Sequence, residues 1–460
     1  MKTLALFPPS THLDENGQLC LGGNSASSLA REFGTPLYIF DEATLRARCR
    51  EYRQALAQHY PGTAQVAYAS KAYLNLALAQ LFAQEGLSLD VVSGGELYVA
   101  RQAGFPAGQI HFHGNNKTMA ELAMALDEGV GRIVVDNFHE LAALERLAAE
   151  RQVRVPVWLR LSPGVDVHTH VHRKTGLLDS KFGFPLETDA AERALARAVA
   201  SPHLELVGLH AHIGSQIFDV EPFTKTVALL VDFAAAMRAR HGFELRELSP
   251  GGGWGAPQHE ADPPAPAARY VQAVGQAVVE ECRCHGLALP TLVIEPGRSI
   301  VAPAGVALYR VGARKEIPGV RTYVSVDGGM ADNIRPALYG ARYTALGVGK
   351  AHLPAEETVT VAGRFCESGD LLIRDIALPR LAAGDLLAVP MVGAYCLPLA
   401  SNYNLVPRPA VVLVRDGQAI LIQRRETFQD LTARDLPLAK KQPISNTQIS
   451  FVKERDYEQH

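Results

Sequence analysis

The chain has 460 residues, 47% hydrophobic and 20% charged, with a formal net charge of -3. That length suggests two or three globular domains, and the near-neutral balance gives no electrostatic reason to expect nucleic acid or an anionic membrane as partner. Six cysteines point to neither a disulfide framework nor a zinc site; the Cys282 and Cys284 pair lies in a polar, helix-like stretch.

At the start, MKTLALFPPS is broken by Pro8 and Pro9 before it reaches the length of a secretory signal, and no later run is long enough for a bilayer. The expectation is a soluble, cytoplasmic protein. Next, HLDENGQLCLGG carries an Asn-Gly turn between short apolar segments, so strands are expected within residues 1–36. From residue 66 strand-like runs recur: VAYAS (66–70), LSLDVVS (87–93), IHFHG (110–114), RIVVDN (132–137), VPVWLRLSP (155–163), LVGLHAHIG (206–214), LRELSPGGG (245–253) and TLVIEPG (291–297). Between them, NLALAQLFAQEG and HELAALERLAAERQ have apolar residues at helical spacing. Strands alternating with helices predict a parallel sheet, and eight such units match an α/β fold, a closed (β/α)8 barrel, assigned here to residues 37–304.

Beyond residue 305 the chain turns β-rich, with ALYRVGA, RTYVSVDGG, TVTVAGRFC, DLLAVPMVGAYC and AVVLVRDGQAILIQR, the last broken by an Asp-Gly turn. These runs predict a second, all-β domain from residues 305–435, with residues 1–36 adding strands to the same sheet. Residues 436–460 form a polar tail with no assigned role.

A barrel builds its active site at the C-terminal ends of its strands. Lys71 stands at one of them, where QVAYASKAYLNLA passes from an apolar run to a charge. Burial without a partner disfavours an ammonium, so a lysine there is expected to lower its pKa and become a neutral nucleophile. Asp90, His113, Asn137, Arg160, His212, the glycines 251–253 and Glu295 also fall at strand ends. The stretch SPGGGWG follows the seventh strand, where barrels commonly hold a phosphate, and Gly251, Gly252 and Gly253 allow close approach of backbone N–H groups to an anion. EPGRS places Glu295 and Arg298 beside that loop. A phosphate site, a lysine amine able to form an imine and an acidic residue in one mouth suggest pyridoxal 5'-phosphate. A carboxylate at the pyridine nitrogen keeps that nitrogen protonated and favours loss of CO2.

The motifs YASKA, LDVVSGGE (89–96), TGLLDSKFG (175–183), HIGSQ (212–216), GGG (251–253), EPGRSIVA (295–302), DNIRPALYGA (332–341), CESGD (366–370) and GAYC (393–396) occur in one order. In this the chain resembles the fold-type III pyridoxal phosphate-dependent decarboxylases, over about residues 25–430, and among them most closely those acting on diaminopimelate. The resemblance implies an alanine racemase-like barrel with a β domain, and decarboxylation of meso-2,6-diaminopimelate to L-lysine and CO2. It implies that Lys71 joins the cofactor as an imine and that His212 stacks on its ring. Ser215, Gly251 to Gly253, Glu295, Pro296, Gly297, Arg298 and Tyr395 would bind it. It further implies that Cys366, contributed by the partner subunit of a homodimer, returns a proton to the α-carbon, so that a monomer is inactive. Arg298, Arg335 and Tyr339 would take the distal carboxylate, Glu367 the distal ammonium, and Tyr395 would face the substrate.

Two departures stand out from the family pattern. Gly363 is followed by Arg364 and Phe365 rather than a proline, and Cys396 replaces the last glycine of GAYG. The histidines His168, His170 and His172 alternate in a loop without a fourth ligand, and no metal is expected. Other readings remain open: a decarboxylase of D-lysine, D-ornithine or L-ornithine, or a silent protein that regulates a partner. Retention of Lys71, Glu295 and Cys366 together argues against the last.

Overall fold

Each expected apolar run between residues 66 and 297 becomes a strand: Ala64–Ala69, Ser88–Val91, Ile110–Phe112, Arg132–Val135, Val155–Ser162, Leu204–His210, Glu247–Gly251 and Thr291–Ile294. The computed structural model describes residues 3–166 and 180–438. All eight strands pair in parallel in chain order, and the eighth returns to the first to close the barrel. Alternation along each strand explains the two apolar layers. Ala67, Val134, Trp158, Val207 and Val293 form a small cluster of their own in the lumen. Their strand neighbours Val66, Tyr68, Ile133, Val135, Val157 and Leu292 pack outward with the helices.

The helices begin where the sequence provides a cap. Asn75, Ser93, Thr118 and Asn137 each accept a hydrogen bond from the backbone N–H three residues on, opening the helices Leu76–Gln84, Gly94–Gln102, Met119–Glu128 and Phe138–Arg151. Because each cap follows a strand within a few residues, the mouth is built from short, fixed turns.

The second sheet contains Gly305–Ile317, Arg321–Val326, Glu357–Ala362, Leu386–Pro390, Ala410–Arg415 and Gln418–Gln423, each overlapping a run read as β-rich. It also contains Leu371–Leu378, which no expectation covered. The Asp416–Gly417 turn joins the last two strands, both residues having positive φ.

At the N-terminus the structure departs from expectation. His12–Leu13, Leu19–Leu21 and Asn24–Ser25 form a three-stranded sheet of their own rather than extending the β-domain sheet. Leu19 and Leu21 still pack against Ile39, Val306 and Val412, and Leu19 N–H donates to the Val348 carbonyl (3.1 Å). The strand that does join the sheet is Leu37–Asp41, placed by the sequence reading at the start of the barrel segment; it lies antiparallel to Gly305–Ile317 and parallel to Ala410–Arg415. Its five residues are all buried, which is what a strand between two neighbours requires. The three alternating histidines and most of TGLLDSKFG lie outside the described residues.

Candidate active site

The first barrel strand ends in the helical turn Ser70–Ala72, which delivers Lys71 to the C-terminal mouth. The second strand supplies Asp90, with Oδ2 3.9 Å from Lys71 Nζ. Burial opposes charge on the lysine, as the sequence suggests. The carboxylates of Asp90 and Glu295 and the phenol of Tyr395 outweigh it and hold its pKa above the ordinary lysine value. Lys71 is thus held as an ammonium, and the expected neutral amine is corrected by a neighbour that the linear reading could not place.

Asp90 itself is buried, and neither carboxylate oxygen has a hydrogen-bond partner. Burial, with the charge of Glu295 and against the pull of Lys71, raises its carboxyl to about 7. The third strand ends in His113, whose Nε2 lies 3.9 Å from Asp90 Oδ1 and 3.7 Å from Glu295 Oε1. Burial lowers its pKa, as it does for His210 and His212.

Glu295 follows the eighth strand. Ser249 Oγ donates to its Oε1 (2.8 Å), and His210 Nε2 lies 3.0 Å from its Oε2. Burial works against the carboxylate, but the surrounding rings of His210, His113 and His212 hold it well below the usual range. A fixed negative charge therefore sits at the base of the mouth.

The glycine loop packs against the segments that carry Ser215 and Glu295. A Cβ at Gly252 would lie 1.8 Å from the Glu295 carbonyl oxygen, and Gly253 has φ of 104°, a conformation that disfavours larger residues. Gly252 N–H donates to His212 Nδ1 (3.3 Å). Arg298 donates to Ser215 Oγ from Nε and Nη2 (3.3 and 3.1 Å), and its guanidinium lies 4.6 Å from the Tyr395 ring centroid. Tyr395 N–H donates to the Ala72 carbonyl (2.8 Å), and Ala69 N–H to the Pro296 carbonyl (3.2 Å), so both segments are tied to the turn that carries Lys71.

Lys71, His212, Ser215, Glu295, Arg298, Tyr339 and Tyr395, seven residues singled out in the sequence, line one cavity of about 570 Å³. His113 and Arg160 also line it; the sequence places both at strand ends but assigns them no role. Lys181 and Phe182 were missed, although they fall within the SKFG motif. They are anchored by Gly183 N–H, which donates to Asp136 Oδ1 (2.9 Å), while Arg160 lies 4.2 Å from the Phe182 ring centroid. Arg335 is not on the cavity wall; it is fully buried, donating to the Tyr343 hydroxyl and to Gln258 Oε1. Cys366 and Glu367 are also outside the cavity, exposed on a β-domain loop. That loop is fixed by Asp370, whose carboxylate accepts from Met330 N–H (2.7 Å) and Phe365 N–H (2.9 Å).

Residues 42–302 match the family model described as pyridoxal-dependent decarboxylase, pyridoxal binding domain. The chain belongs to the pyridoxal-dependent decarboxylases. It is 50% identical over 428 residues to a diaminopimelate decarboxylase of Bacillus subtilis, covering 92% of this chain and 96% of the relative. It is 47% identical over 427 residues to one from Bacillus methanolicus, covering 93% and 99%. Among solved structures, a diaminopimelate decarboxylase from M. jannaschii in co-complex with L-lysine superposes with a TM-score of 0.88 at 35% identity, covering 94% of this chain and 98% of that one.

The residues present fit the cofactor of this family. A lysine amine, a buried carboxylate for a ring nitrogen and a largely neutral His212 ring line one cavity; the glycine loop, Pro296 and Gly297 are not on its wall, but Gly253 packs beside Ser215, which is. The buried oxygens of Asp90 and Nε2 of His113 without partners mark that cavity as a site for a polar ligand. When bound, pyridoxal phosphate supplies an electron sink for the pair left on a carbon that loses CO2. Lys71 is the amine that would hold it, Glu295 the group that would keep its ring nitrogen protonated, and the Gly251–Gly253 loop with Ser215 the place for its phosphate.

Proposed function

We propose that the chain removes one carboxyl group of meso-2,6-diaminopimelate, giving L-lysine and CO2. The observation that carries the choice of substrate is Arg335: a fully buried guanidinium that no carboxylate of the described residues pairs with. Burying an uncompensated cation is costly, and a second substrate carboxylate held at the wall by Arg298 and Tyr339 would bring an anion towards it. Ornithine or lysine, with one carboxylate each, would leave that charge unanswered. Arg298 on the wall and Tyr339, one helical turn after Arg335, complete the distal subsite.

The chemistry of the other residues follows from their surroundings. Lys71 is the amine that would hold the cofactor. Glu295, kept ionised in its histidine surroundings, would keep a proton on the cofactor's ring nitrogen, which favours electron flow into the ring. His212, with its pKa lowered, offers a flat neutral face rather than a second positive charge. In our reading Cys366 returns the proton to the α-carbon and Glu367 takes the distal ammonium, both reaching the cavity of a second copy of the chain; their exposure outside their own cavity supports this. Mixing Lys71→Ala with Cys366→Ala chains in equal amounts should then restore about a quarter of the wild-type activity, since half of the dimers are mixed and each of these regains one intact site of two; no recovery would place Cys366 in its own chain's site, and full activity of Cys366→Ala alone would place it outside catalysis.

The substrate is tested by CO2 release from a panel of diaminopimelate isomers, D- and L-lysine, ornithine and arginine. The meso isomer should be turned over at least about a hundredfold more efficiently than any monocarboxylate. Comparable release from lysine or ornithine would overturn the assignment.

A further inference from the structure

Behind the distal end of the cavity lies a chain of amides that the chemistry above does not use. Gln258, 4% exposed, accepts from Arg335 Nη2 through Oε1 (3.0 Å). Gln216 Nε2 lies 3.5 Å from the same oxygen, and Gln216 is pinned to Ala256 by two hydrogen bonds, Nε2 to the carbonyl (3.0 Å) and Oε1 from the N–H (2.9 Å). Gln258 N–H and His259 N–H both donate to Asp262 Oδ2 (2.8 and 3.0 Å), which folds the loop into place. The amide is thus fixed from both sides. A guanidinium only donates, so the Gln258 carbonyl must face it.

Two features separate this arrangement from an ordinary structural contact. First, a buried arginine is usually answered by a carboxylate. Here the acceptors are a neutral amide and a phenol. Second, Gln258 Nε2 and Arg335 Nε are both buried donors without a partner. The pair holds its cation in place while leaving charge and hydrogen-bonding capacity unspent. Its neighbours reach the cavity: Tyr339 follows Arg335 on the short helix Arg335–Tyr339, Ser215 precedes Gln216, and Tyr395 precedes Cys396, whose Sγ lies 3.5 Å from the Tyr343 hydroxyl.

We infer that Gln258 is a specificity-determining positioning residue, which orients Arg335 through a neutral acceptor so that its full charge is available to the distal carboxylate of the substrate. The inference rests on the assignment of Arg335 above. A glutamate at the same position would keep the contact but neutralise the guanidinium. A methionine would keep the shape but lose the acceptor.

The test compares holoenzyme variants Gln258→Glu, Gln258→Met and Arg335→Ala. Three quantities are measured: KM and kcat for diaminopimelate, inhibition by 1,5-diaminopentane, and the visible absorbance of the lysine-bound cofactor. The diamine has both amines and no carboxylate. Gln258→Glu should raise KM for diaminopimelate roughly tenfold or more, with kcat and the absorbance little changed and diamine inhibition as strong as before. Gln258→Met should raise KM by a smaller factor, roughly threefold. If Arg335→Ala raises KM for diaminopimelate selectively while both Gln258 variants leave it unchanged, Gln258 has no such role. Weakening of diamine inhibition in step with KM would also overturn the inference, because a loosened loop would affect both ligands. If Arg335→Ala itself is not selective, the parent assignment of Arg335 fails instead.

Discussion

Beside the starts of the first three strands, a cavity of about 740 Å³ is lined by Arg50, Arg53, Gln54 and Ser88, whereas the mouth at the other end of the barrel encloses about 570 Å³. The larger cavity is electrostatically settled. Arg46 and Arg50 both donate to the Glu85 carboxylate (2.8 to 2.9 Å), and Arg53 to the Glu85 backbone carbonyl (2.8 Å). Burial opposes the charge on Glu85, but the two arginines hold its carboxyl below the usual range. At the mouth, Asp90 and His113 keep buried atoms without partners, as does Arg335 just behind it. Volume therefore does not mark the reacting end of this barrel; incomplete satisfaction of buried charge does, because such charge is costly unless a ligand answers it.

This contrast can be broken at either end. The largest effect is expected for Glu295→Gln, which keeps the shape of the mouth but removes its fixed charge. Its kcat should fall about 10²- to 10³-fold, with the cofactor still bound to lysine by its visible absorbance. Undiminished turnover would mean that the charge at the base of the mouth is not used. Next comes Arg335→Ala, which should cost about 2–4 kcal/mol in kcat/KM for diaminopimelate, the range for breaking a buried charge-assisted contact.

A pH effect of intermediate size belongs to Asp332, in the β domain. Burial, against hydrogen bonds from the Tyr309 and Tyr38 hydroxyls and Gly329 N–H, raises its carboxyl to about 6. Its pKa is higher folded than unfolded, so its contribution is most favourable below about pH 4 and is lost as pH rises through 6, by about 3 kcal/mol at most. Asp332→Asn should flatten this part of the urea-midpoint profile between pH 4 and 7; a parallel profile for both proteins would show that the carboxyl ionises normally. The smallest effect is expected at the settled end. Glu85→Gln should cost ~1–3 kcal/mol of stability, since its arginines are partly solvated, and leave kcat and KM unchanged. A kinetic defect there would dissolve the contrast.

The barrel was legible because each strand is an apolar run ended by a polar or glycine residue, and because capping residues mark the helices. Lys71, Glu295 and the glycine loop could be read from such ends. The run LYIFD at residues 37–41 was passed over and counted with the barrel segment, since a fully buried strand has no alternation to reveal which sheet it joins. The direction of the Lys71 pKa failed for a related reason: Asp90 is 19 positions later in the sequence yet sits on the adjacent strand, and only the closed barrel brings it within 3.9 Å. Burial of Arg335 was likewise hidden, because its acceptor Gln258 comes from a loop on a different domain segment. SKFG was recognised as a motif, but nothing in four residues says that Asp136 and Arg160 will fix it at the mouth.

Two lysines, half-buried Lys71 and buried Lys117, allow the most direct test of the central claim, that the mouth of the barrel is where the cofactor attaches. Lys117 is fully satisfied, donating to the Gly114 and Val134 carbonyls and to Glu140 (2.9, 2.8 and 2.7 Å), while the ion-pair neighbour of Lys71 is 3.9 Å away. Borohydride reduction of the holoenzyme followed by peptide mapping reads the attachment point. The account predicts a pyridoxyl group on Lys71 alone; a label on Lys117 or another lysine, or none on any lysine, would contradict it.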